Sequence, residues 1–81
     1  MAKILVVDDE RSIRNSMKEV LEFEGHVVTL AEDGETGLKE AEKEQFDLAF
    51  SDIKMPKMDG IQLLAKMRQL QPSTQMLLLP G

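Results

Sequence analysis

Four short apolar runs divide the chain, and the stretches between them carry helical spacing. Ile4-Leu5-Val6-Val7 is continuous, partly β-branched and closed by two aspartates, the pattern of a parallel strand covered on both faces. From about Arg11 to Glu24, Ile13, Met17, Val20 and Leu21 recur at i, i+4, i+7, i+8, while Arg14, Lys18, Glu19 and Glu22 lie largely elsewhere. That spacing predicts a helix resting on the sheet through its apolar face. Gly25 follows where a left-handed cap is sterically cheap for glycine, and Val27-Val28-Thr29-Leu30 makes the second strand. Asp33-Gly34 could open a hairpin, but Glu35 to Gln45 lacks alternation and is rich in helix formers, so Asp33 is read as a helix N-cap. The apolar stripe there is narrow, chiefly Leu38, Ala41 and Phe46, so this second helix is expected to be the least firmly held element. Phe46 to Asp52 gives the third strand. Asp59 is placed to cap a helix from about Gly60 to Gln69, with Ile61, Leu64 and Met67 facing inward and Leu63 and Leu70 flanking. Gln71-Pro72 stops it, and Gln75 to Leu79 is a fourth buried strand running into Pro80-Gly81.

Strands alternating with helices imply right-handed crossovers and a parallel sheet, hence an α/β doubly wound fold. In the flavodoxin-like order 2-1-3-4 the first and third strands are neighbours. Asp8 and Asp9 then meet Asp52 at one sheet edge, where such folds place their chemistry. Three carboxylates in one pocket raise one another's pKa unless a cation relieves them. Mg²⁺ suits the pocket, because it takes oxygen ligands and keeps several waters beside one or two carboxylates. An aspartate facing Mg²⁺ can act as a nucleophile toward a phosphoryl group, giving an aspartyl phosphate.

Composition narrows the partners. Fifteen acidic against ten basic side chains leave a formal charge of −5 over 81 residues, which argues against a nucleic-acid or anionic-membrane footprint. The absence of cysteine excludes disulfides and thiolate metal sites, and a single histidine cannot build a histidine-rich centre. The N-terminus is interrupted by Asp8 too soon for a signal peptide or a membrane span, so a cytoplasmic protein is expected. Bland readings compete at each position. Asp8-Asp9 taken alone is a turn and cap, Asp52 a strand end, His26 a surface residue and the methionines gap fillers; Lys39 to Glu44 is a solvated helix face with Glu35 and Lys39 spaced as an i, i+4 pair. Only the acidic groups at two adjacent strand ends overturn the bland reading of the aspartates.

Asp8-Asp9, together with Asp52-Ile53-Lys54-Met55-Pro56-Lys57-Met58-Asp59-Gly60, resembles the receiver (CheY-like) domain of two-component response regulators. The resemblance implies that Asp52 accepts phosphate from a sensor histidine kinase. It implies Mg²⁺ held by Asp9 directly, by Asp8 mostly through a coordinated water, and by Asp52 and the backbone carbonyl of Lys54. Met55-Pro56 would shape the turn over the pocket. The chain departs from the family where a Ser or Thr hydroxyl is expected after the fourth strand: Pro80 stands there. The family's fifth strand with its lysine, and its last two helices, are also missing from these 81 residues, which read as a single, C-terminally truncated receiver domain. An open fourth strand and uncovered Phe50, Leu77 and Leu79 then predict self-association into a homo-oligomer. Three functions are carried forward: a phosphoacceptor signalling domain, not an enzyme beyond catalysing its own phosphorylation; a Mg²⁺-dependent phosphohydrolase; and a non-signalling receiver fragment acting as an interaction module.

Overall fold

The computed structural model describes residues 1–80, so Gly81, read above with Pro80, lies outside the described residues. The elements are β1 (Lys3–Val7), α1 (Arg11–Phe23), β2 (Val27–Ala31), α2 (Gly34–Lys43), β3 (Leu48–Asp52), α3 (Gly60–Leu70) and β4 (Gln75–Leu79). The four strands pair in parallel in the order β2-β1-β3-β4, as the alternation of strand and helix predicts. Leu5 and Val7 of β1 join Ala49, Leu63 and Met67 in the core under α2 and α3. Ile4 and Val6 point the other way by strand alternation, are equally buried, and lie on the side of α1. No helix among the described residues is long and apolar enough to cross a membrane.

Both predicted N-caps form. Asp33 accepts the Thr36 N–H at 2.8 Å, and Asp59 and Gln62 exchange bonds in a capping box. Gly25 takes φ +90° at the end of α1, the left-handed geometry expected of it. Glu35 and Lys39 pair at 3.6 Å on the solvated face of α2.

Four local expectations are corrected. The second helix is not the loosest: α2 buries Gly34, Gly37 and Ala41, whereas α1 has no buried residue and its Val20 is 62% exposed. Glycine explains the difference, since a Cβ on Gly37 would stand 3.0 Å from Val7 Cγ2, so the bare backbone lets α2 lie close on the sheet. The inward face of α3 is Leu63 and Met67, with Ile61 59% exposed, because the capping box and the seating of Gly60 set the helical phase. Phe46 and Asp47 precede β3 rather than opening it. Phe46 is fully buried, and Asp47 Oδ2 accepts the Lys3 N–H at 2.8 Å. His26 is more than a surface residue: its Nδ1 accepts the Ala2 N–H at 3.1 Å and ties the chain's start to β2.

Gln71, read above only as a helix stop, is a buried staple. Its Nε2 donates to the carbonyls of Ala41 at 2.6 Å and Glu44 at 2.7 Å, and its Oε1 accepts the Phe46 N–H at 2.9 Å. The side chain thereby satisfies the C-terminal carbonyls of α2, which a helix end leaves without partners. Thr74 joins it, its hydroxyl lying 2.6 Å from the Phe46 carbonyl and 2.7 Å from Gln71 Oε1.

Candidate functional site

Strand register builds the site. Val7 of β1 is level with Ser51 of β3, so the next residues, Asp8 and Asp52, emerge side by side at the C-terminal edge of the sheet. Asp8 is 4% exposed and Asp52 8%, while Asp9 is open to solvent. One carboxylate oxygen from each of the three lies within 4.8 Å of the others. Three of the four sequence-predicted metal residues therefore come together. The fourth, Lys54, follows two positions on, and its N–H donates to Asp52 Oδ1 at 3.3 Å.

Asp8 is fixed on several sides. Its backbone N–H donates to the Ala31 carbonyl at 3.1 Å, and its Oδ1 accepts the Glu10 N–H at 2.8 Å. Arg14 Nη1 donates to its carbonyl at 2.7 Å. The helical spacing sets Arg14 off the packed face of α1, and nothing in the position of a basic residue in its first turns marks this contact. Burial pushes the Asp8 carboxyl above the ordinary carboxylate value, and the charges of Asp52 and Asp9 push the same way; the Glu10 N–H and Arg14 offset part of the rise. Burial is the larger cause, and the repulsion expected of clustered carboxylates adds to it. A set of hard oxygen donors whose mutual repulsion a cation relieves fits a divalent ion such as Mg²⁺.

Asp52 is held on one oxygen and free on the other. Oδ1 takes the Lys54 N–H, while Oδ2 accepts no bond among the described residues. No buried side-chain oxygen or nitrogen among the described residues lacks a partner, so the free oxygen reaches solvent. Below it, the Ser51 hydroxyl donates to the Asp52 carbonyl at 3.0 Å. Met55 is buried in the core and pins the loop between β3 and α3, in which Lys57 adopts φ +69°.

Gly60 does more than begin a helix. Its N–H donates to the Ile53 carbonyl at 2.8 Å, and a Cβ there would collide with the Asp52 carbonyl and stand 2.9 Å from Ile53 Cα. Only glycine lets the start of α3 seat directly on the strand end that carries Asp52. Asp59-Gly60 was legible as a helix start, and the close approach was not.

The model of the response regulator receiver domain family matches residues 4–81. The alkaline phosphatase synthesis transcriptional regulatory protein PhoP of Bacillus subtilis (strain 168) is 49% identical over 67 residues, which is 83% of this chain and 28% of PhoP. The chain thus spans 28% of the length of that relative. A response regulator receiver domain protein (CheY-like) from Methanospirillum hungatei JF-1 matches with a TM-score of 0.96 at 42% identity, covering 100% of this chain and 65% of that one. The response regulator TrrA from Thermotoga maritima, solved in complex with Mg(2+)-BeF, matches with a TM-score of 0.92 at 39% identity, covering 99% of this chain and 70% of that one. A match of this extent, on a sheet of this order, makes the chain a member of the response regulator receiver domain family, the phospho-accepting signalling modules of two-component systems.

Proposed function

We propose that residues 1–81 act as one receiver unit in which Asp52 accepts a phosphoryl group from a phosphohistidine of a sensor histidine kinase, in a cytoplasmic setting. The observation that carries this reading is the convergence of Asp8, Asp9 and Asp52 within 4.8 Å at the end of β1 and β3. Asp8, Asp9, Asp52 and the backbone carbonyl of Lys54 are the residues that would hold Mg²⁺. When bound, the ion offsets the repulsion between carboxylate and phosphoryl oxygens. The chain's own part is positional. Asp52 Oδ1 is tethered by the Lys54 N–H, which leaves Oδ2 facing solvent as the attacking atom. Attack forms the Oδ2–P bond and breaks the P–N bond of the donor, whose imidazole departs with the electron pair. Gly60 and Met55 keep the loop seated so that Asp52 does not swing away. Pro80, at the position of the family's hydroxyl, offers neither an O–H nor an N–H to the phosphoryl oxygens, so acceptance at Asp52 is not coupled to a switch through that residue.

Beryllofluoride with Mg²⁺ tests the reading through the amide spectrum. Saturable shifts at the ends of β1 and β3 that vanish in Asp52→Asn support it, and shifts that persist in Asp52→Asn refute it. The phosphohydrolase and the non-signalling fragment draw no support from the family to which the chain belongs.

A second reading rests on the other face of the sheet. Leu77 is 45% exposed, while Phe50 and Leu79 beside it are half-buried, and β4 forms one edge of the sheet. We propose that the 81-residue polypeptide taken alone pairs with a second copy through β4, because Gln75 to Leu79 carries no charge or proline to block edge pairing. Sedimentation resolves this: a concentration-dependent dimer that Leu77→Lys dissociates supports it, and a monomer at every concentration refutes it.

A further inference from the structure

A groove of about 550 Å³ opens between the start of α2, the loop after β3 and the exposed side of α3. Its size lies in the range of small-molecule sites, and its lining is mostly apolar with a few polar groups at the rim. Leu38, Pro56 and Met58 make the apolar wall. The absent side chain of Gly34 makes room for Met58 there, since a Cβ would stand 2.7 Å from its sulfur. Lys57, Gln62 and Lys66 border the same space, with Gln62 and Lys66 one helical turn apart on α3.

The charges around the groove are unequally engaged. Asp33, on the rim, is committed to the Thr36 N–H as the cap of α2, and Glu35 is paired with Lys39 at 3.6 Å. Lys57 and Lys66 make no ion pair among the described residues. Gln62 spends its Oε1 on the Asp59 N–H, and its Nε2 donates to nothing among the described residues. Three donors without a hydrogen-bonded or ion-paired partner among the described residues therefore border an apolar wall, Lys57 lying near enough to Asp33 to draw its carboxyl down. We propose that this groove binds a small amphipathic anion, its apolar body against Leu38, Pro56 and Met58 and its acid group on Lys57, Lys66 and the Gln62 amide. The site is separate from the carboxylate cluster and does not depend on phosphoryl chemistry at Asp52.

The probe is naphthalene-2-sulfonate, titrated into the isotope-labelled chain beside the neutral naphthalene-2-methanol. The site predicts saturable amide shifts confined to residues 34–38 and 56–66, with the sulfonate binding more tightly than the alcohol. In the Lys57→Gln/Lys66→Gln double variant sulfonate affinity falls roughly three- to tenfold, the range for two exposed charges, while the alcohol is unaffected. Val20→Ser, on the exposed apolar side of α1, leaves both affinities unchanged. The proposal is overturned by shifts centred on Ser16, Val20 and Phe23, by shifts that do not saturate, by equal affinity for the two compounds, or by a double variant that binds the sulfonate as tightly as the unmodified chain.

Discussion

Replacing Gln71 by alanine removes a buried side chain that joins the end of α2, Phe46 just ahead of β3 and Thr74 in the turn before β4. The Phe46 N–H loses its acceptor, and the carbonyls of Ala41 and Glu44 lose their donor. Each buried group left unpaired costs about 1–3 kcal/mol, but Glu44 is only half-buried and can turn to water, so two groups dominate. The expected loss is about 2–6 kcal/mol, against a total stability of about 4–12 kcal/mol for a domain of this length. Thr74→Val, which removes one hydroxyl from the same network, should cost about 1 kcal/mol. Urea unfolding followed by far-ultraviolet circular dichroism measures both, with the slope of the transition unchanged if the native state stays compact. A Gln71→Ala loss below about 0.5 kcal/mol, the scale of an ordinary surface change, would refute the staple.

Removing the Asp8 charge should help the fold and harm the metal site. Because its folded carboxyl lies above the ordinary 3.8, native stability falls as pH rises from 3.8 through the raised value and is level beyond it. Asp8→Asn should lack that falling limb, be more stable than the unmodified chain at neutral pH without divalent ions, and gain less from added Mg²⁺; thermal melts across pH with and without Mg²⁺ check all three. Asp33→Ala should cost about 1 kcal/mol of stability by uncapping α2. The Thr36 N–H holds the Asp33 carboxyl below 3.8, so this contribution is complete above 3.8 and is lost as pH falls through the lower folded value, which urea unfolding at several pH values reads directly. Gly60→Ala should destabilise by about 1–3 kcal/mol through the clash with the Asp52 carbonyl, and should weaken Mg²⁺ binding in calorimetry; unchanged metal affinity would separate the glycine from the site.

Elements and topology were legible because they rest on local signals. Continuous apolar runs ended by aspartate marked β1 and β3, and the alternation with helices dictated the parallel order that sets Asp8 beside Asp52. Caps at Asp33 and Asp59 were equally local. What escaped depends on contacts distant in sequence. Gln71 bonds to groups 25 to 30 residues away, and no spacing rule marks a glutamine for that role. The firmness of α2 came from an absent side chain at Gly37, which an apolar count scores as nothing. The phase of α3 followed from how Gly60 seats on β3, so the apolar period found Met67 but turned Ile61 inward where Leu63 is buried instead. At the site itself the three carboxylates were readable from strand ends, whereas Arg14 bonds a backbone carbonyl and leaves no motif.

The atom that receives phosphate is the most direct test of the site. Incubation with acetyl phosphate and Mg²⁺, followed by peptide mapping in a mass spectrometer, locates any phosphoryl adduct on the chain. The arrangement of Asp8, Asp9 and Asp52 predicts one adduct, on Asp52, lost when Mg²⁺ is chelated and absent in Asp52→Asn. An adduct on another residue, one that forms equally without Mg²⁺, or none at all would contradict it.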